Sequence, residues 1–118
     1  MILQLSPEEL QLLVDLFEDR LSGLDDEIAR TDCRNARITL EQEEKMVQEV
    51  EDKVMQRDLT FTTDELEFLL DFLGIRAQKL RTEIYHTDSR EYKQMLRTRQ
   101  QVLERVHDKV TEVCCRTV

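Results

Sequence analysis

The sequence predicts an all-α protein: an antiparallel up-down-up-down four-helix bundle, made of two tandem helical hairpins related by a pseudo-twofold axis. Three observations predict it. The 118 residues include only two glycines and one proline, too few for the many corners of a β-sandwich or barrel. A shift of 56 residues lays 3–54 on 59–110 without a gap, with 17 of 52 pairs identical, so the chain reads as one unit duplicated and fused. Within each copy, apolar residues recur at alternating spacings of four and three, the stripe of a helix that faces a partner helix. The expected organisation is a single domain over 1–118, with hairpin one at 3–57 and hairpin two at 59–114.

The first helix is expected over 6–30. Ser6 is a natural N-cap, Pro7 suits the first helical position, and Glu9 completes a capping box. Leu5 and Leu10 form a hydrophobic staple around that start. The stripe then runs through Leu10, Val14, Phe17, Leu21, Leu24, Ile28 and Thr31. The second helix is expected over 33–56, capped by Asp32 with Asn35 as its weaker box partner, and carries Ala36, Leu40, Glu43, Val47, Val50 and Val54. Thr62, Glu65, Phe61 and Leu66 repeat the first start, so the third helix is expected over 62–86, with Leu66, Leu70, Leu73, Ala77, Leu80, Ile84 and Thr87 on its stripe. Asp88 and Glu91 open the fourth helix, expected over 89–114, with Tyr92, Leu96, Arg99, Leu103, Val106, Val110 and Val113. The segments Leu3-Gln4-Leu5 and Leu59-Thr60-Phe61 are expected to pair briefly as strands. Gly23 and Gly74 stand inside helices, at about 1 kcal/mol each relative to Ala, and read as local packing allowances.

Charge divides unevenly between the copies. Residues 1–58 carry 16 acidic and 7 basic side chains, whereas 59–118 carry 10 of each, which leaves the whole chain at −9. Reversals fall at equivalent positions: Asp25/Arg81, Glu41/Arg97, Glu43/Arg99 and Glu49/Arg105. Copies facing each other across a twofold axis gain from such reversals. Arg20, Glu43, Arg76 and Arg99 then read either as a partly buried network or as four solvated side chains on the bundle flank. The overall acidity argues against nucleic acid or an anionic membrane as partner. No signal peptide or membrane span is read. Three cysteines, an odd count, argue against a disulfide framework and for a cytoplasmic location.

Few residues suggest chemistry. The elements Glu83-x-x-His86 and Glu104-x-x-His107 spell the ligand motif of di-iron carboxylate bundles. In a hairpin turning near residue 87, however, they stand about 20 Å apart along the axis at 1.5 Å per residue, and hairpin one has Arg30 and Glu51 where they have histidines. Glu41-x-x-Glu44 and Glu49-x-x-Asp52 lie on one helix, with Lys45 and Lys53 at lacing distance, and read as a solvated face. Cys33 is replaced by Ser89 in the second copy, Cys114 reads as the apolar end of the last helix, and Cys115 as incidental. No cofactor is called for. Leu12, Leu16, Phe68 and Phe72 exceed a single stripe. They read first as wide burial in a bundle, and otherwise as an interface for a partner or a second copy.

The stretch Leu80-Arg-Thr-Glu-Ile-Tyr-His-Thr-Asp-Ser-Arg-Glu-Tyr-Lys resembles a motif of short uncharacterised bacterial proteins built as single helical hairpins. Glu-Ile, the Thr-Asp-Ser turn and the following Arg-Glu carry the likeness. It implies a hairpin fold, in both halves here, and no known activity. The function expected from the residues is a non-enzymatic scaffold or adaptor that binds another protein or its own copy, a homodimer being one form of the latter. The alternative is a metal-binding bundle, di-iron-like or zinc, on Glu83, His86, Glu104 and His107. Acidic mimicry directed at a DNA-binding protein rests on the charge alone.

Overall fold

The structure is a computed structural model and describes residues 2–116, with the side chain of Arg116 left aside. Among the described residues there are four helices and no strand: α1 Pro7–Arg30, α2 Arg34–Met55, α3 Thr63–His86 and α4 Arg90–Arg116. Each expected helix is present, and its expected bounds agree with the observed ones to within two residues. The proposed strand pairing shrinks to one antiparallel bridge between Ile2 and Thr60, beside a Leu3 N–H to Leu59 O bond of 3.0 Å.

The helix starts follow from their capping chemistry. Ser6 N–H donates to Glu9 Oε1 at 2.8 Å, and Glu9 N–H donates to Ser6 Oγ at 3.2 Å. Thr62 and Glu65 repeat both bonds at 2.9 and 3.2 Å. At the two turns the expectation is corrected. Asp32 and Asp88 do not cap. The N-cap of α2 is Cys33, whose side chain makes no capping hydrogen bond. The equivalent Ser89 accepts from Tyr92 N–H at 3.4 Å. The recurring threonine of the Thr-Asp-x-Arg motif works on the other side of the turn. Thr31 Oγ1 donates to Glu27 O, and Thr87 Oγ1 to Glu83 O, each at 2.5 Å. Those hydroxyls satisfy carbonyls that the helix end leaves open.

The end of α2 holds a feature without a sequence signal. Arg57 has φ of 58°. Asp58 N–H reaches Lys53 O at 2.9 Å and Arg57 N–H reaches Val54 O at 3.1 Å. This is a Schellman ending with arginine at the left-handed position usually given to glycine.

The chain divides into two compact units, one of residues 1–12 and 59–118 and one of 13–58, so the boundary falls inside α1. In the first unit α3 and α4 pack side by side, joined by the three residues 87–89. Its buried apolar residues include Leu66, Leu69, Leu73, Leu103, Val106 and Val110. In the second unit Leu13, Phe17, Leu24, Val47, Val50 and Val54 are buried. Leu13, Leu69 and Val102 lie off the predicted stripes yet are buried, so the apolar face is wider than a two-in-seven seam. Ala36 and Tyr92, predicted on the stripe, are exposed beside the turns. Neither glycine is a packing allowance: a Cβ at Gly23 or Gly74 would meet nothing within 4 Å.

Candidate functional site

The sequence-predicted candidates fall in different surroundings. Glu83, His86 and Glu104 are exposed and His107 is half-buried. Glu83 accepts a 2.6 Å hydrogen bond from the Tyr92 phenol, and His86 lies edge-on to Tyr85 with ring centroids 5.3 Å apart. Among the described residues no three His, Cys, Asp or Glu side chains gather in a form that could hold a metal ion. Leu12, Leu16 and Phe72 are buried and Phe68 is half-buried, its ring 5.8 Å from that of Phe72. Arg76, the copy of Arg20, lies over the Phe72 ring at 5.2 Å. Of the expected charge network, the structure displays the pair within the second unit: Arg20 grips Glu43 through Nε to Oε2 at 2.5 Å and Nη2 to Oε1 at 3.0 Å.

The second unit concentrates carboxylates. A hydrogen bond with the Asp25 side chain, then burial and the charges of Asp25 and Glu41, raise the pKa of Glu44. Burial, with Glu18 and Asp52 nearby, raises that of Glu51. This hairpin therefore holds more negative charge than its own bases neutralise. At its turn, the backbone N–H groups of Ala36 and Asn35 lower the pKa of the exposed Cys33 thiol. The sulfur faces this helix start without the capping hydrogen bond that the serine hydroxyl of the other copy makes.

Two surface features of the first unit bear on binding. A groove of about 430 Å³ is lined by Ile2, Leu3, Gln4, Lys109, Glu112 and Val113. It sets Lys109, which bonds Glu9, and Glu112 beside small apolar walls, and these lining residues include no nucleophile with a base.

The other feature is the tip of hairpin two, built by local rules. Ser89 starts α4, which sets Tyr92 one turn in, and the phenol then closes onto Glu83 across the turn. That hydrogen bond raises the Tyr92 pKa and fixes the ring in place. Tyr85, in the last turn of α3, is 82% exposed, and Met95, three residues after Tyr92, is 53% exposed. At such exposure Tyr85 gains little from burial and Met95 about half of what it could. Residues 79–99 surround them with six basic and three acidic side chains.

Sequence reasoning passed over this tip, although a signal for it exists. Hairpin one has Ala29, Ala36 and Thr39 at the positions of Tyr85, Tyr92 and Met95. The same turn thus forms without the bulky groups, and they are an addition to the second copy alone. No family model, curated protein or solved structure matches the chain. Among the described residues no helix is long and apolar enough to cross a membrane.

Proposed function

We propose that the chain is a non-enzymatic helical scaffold that binds protein through the tip of hairpin two. The observation that carries this is the exposure of Tyr85, Tyr92 and Met95 among arginines and lysines, where the duplicated hairpin does without them. Tyrosine, methionine and arginine are the residues over-represented at protein interfaces. Tyr92 is held by Glu83 before any partner arrives, which lowers the ordering cost of binding.

The same reading takes the two hairpins as an up-down-up-down bundle with a pseudo-twofold axis. The repeated Thr31 and Thr87 turn bonds support the equivalence of the hairpins. Cys33, Cys114 and Cys115 form no disulfide, which suits a reducing cytoplasm.

A double variant Tyr85→Ala, Met95→Ala tests the docking face. Both side chains are exposed, so stability should move by no more than about 0.5 kcal/mol. Proteins captured by the wild type from its native cell should be lost. Capture of the same proteins by the variant would overturn the reading.

A further inference from the structure

The two hairpin tips are opposite in charge and equal in size. Residues 79–99 hold six basic and three acidic groups, a balance of +3, while the equivalent 23–43 hold six acidic and three basic groups, a balance of −3. Asp26 and Glu41 on the first tip, and Arg90 and Arg97 on the second, are exposed. Each tip also shows apolar surface: Ile38 is exposed on the acidic one, Tyr85 and Met95 on the basic one. Opposed patches of this kind steer association and set partner choice, whereas like patches repel.

We infer that the partner of the basic, tyrosine-bearing tip of α3–α4 is the acidic tip of α1–α2 on a second copy of this chain. This rests on the proposed docking role of the tip and names its occupant. The crowding of carboxylates around Glu44 adds to the case, because a cationic face would relieve it. Each copy carries both faces. Pairing that is used twice closes a dimer, and pairing that is used once leaves a face open for a further copy.

The test is sedimentation of the full chain at rising concentration, at low salt and at about 0.5 M salt, where charge interactions are screened within a few ångströms. Self-association is expected at low salt, weakened at least about tenfold at high salt. Two variants then invert one tip each: Arg90→Glu with Arg97→Glu, and Asp26→Lys with Glu41→Lys. Each should retain its helical circular dichroism and sediment as a monomer. Mixed one to one, they should associate, since one then presents two acidic tips and the other two basic ones.

A wild type that stays monomeric at every concentration and salt overturns the self-pairing, and leaves the tip open to a different protein. Monomeric variants that fail to associate on mixing do the same. Self-association that survives both inversions lies elsewhere on the chain and overturns the self-pairing, while the docking role of the tip stands or falls with the Tyr85→Ala, Met95→Ala variant.

Discussion

Lys109 Nζ lies 2.6 Å from Glu9 Oε1, and joins residues 100 positions apart in the chain. Glu9 is only 2% exposed, whereas the Lys109 side chain is 41% exposed. The carboxylate also accepts from Ser6 N–H, so one buried group serves both as a helix cap and as an ion-pair partner. Burial alone would push its pKa up; Lys109 and Ser6 outweigh that and hold it below the ordinary value. A lowered carboxyl contributes stability that is full above its unfolded pKa and is lost as pH falls through the folded one.

Lys109→Met should therefore cost about 2–3 kcal/mol at pH 7, less than for a fully buried pair because the lysine is partly solvated. Without the lysine, burial dominates and the sign reverses: Glu9 then binds its proton more readily in the folded state. The gap between variant and wild type should narrow from pH 7 to pH 4 in urea titrations. A pH-independent gap would show that Lys109 acts through packing.

Glu51 provides the opposite case. Burial raises its pKa, and Oε2 has no hydrogen-bond partner among the described residues. A raised carboxyl favours the fold at low pH and costs stability as pH rises through its folded value. Glu51→Gln should raise Tm at pH 7, and the gain should vanish near pH 4. A lower Tm at pH 7 would show that the carboxylate makes a favourable contact that the amide cannot.

The two α-helix starts after the turns differ by one atom. Ser89 caps α4 through its hydroxyl, while Cys33 makes no such bond. Cys33→Ser should stabilise the chain by about 0.5–1 kcal/mol, and Ser89→Ala should destabilise it by about the same amount. Thermal melts of the two variants should move in opposite directions. Cys33, exposed and with a lowered thiol pKa, should also be alkylated faster than the half-buried Cys114.

Three backbone positions can be improved without touching a side-chain contact. Gly23 and Gly74 have helical surroundings and open space around a Cβ. Alanine at each should add about 0.5–1 kcal/mol. Arg57 occupies the left-handed region, where glycine avoids a penalty of roughly 1–2 kcal/mol. Arg57→Gly should gain part of that, since glycine also loses more freedom on folding. Denaturant midpoints should rise for all three; a fall at either glycine site would reveal a need for it that the open space does not.

The helices were legible because their signals are local. Capping boxes at Ser6 and Thr62, spacing of four and three, and a 56-residue repeat all act within one turn or one copy. The Arg20–Glu43 pair was legible for a related reason: the two residues stand eleven and ten positions from the turn at 31–33, which short hairpins bring level. The caps at the turns were misplaced by one residue, since Asp32 and Cys33 compete for the position and backbone dihedrals decide the winner. The tip was missed because Tyr92 fits an apolar stripe as well as a surface, and periodicity alone does not separate them beside a turn.

Helix content, helix limits and the twofold redundancy of the chain were thus determined by the sequence itself, through bonds formed within a few residues. Which apolar side chains are buried, which carboxylate takes Lys109 and which aromatics stay in water were decided only by tertiary structure. Those outcomes depend on what distant segments cover, and burial of a group is set by its neighbours in space rather than along the chain.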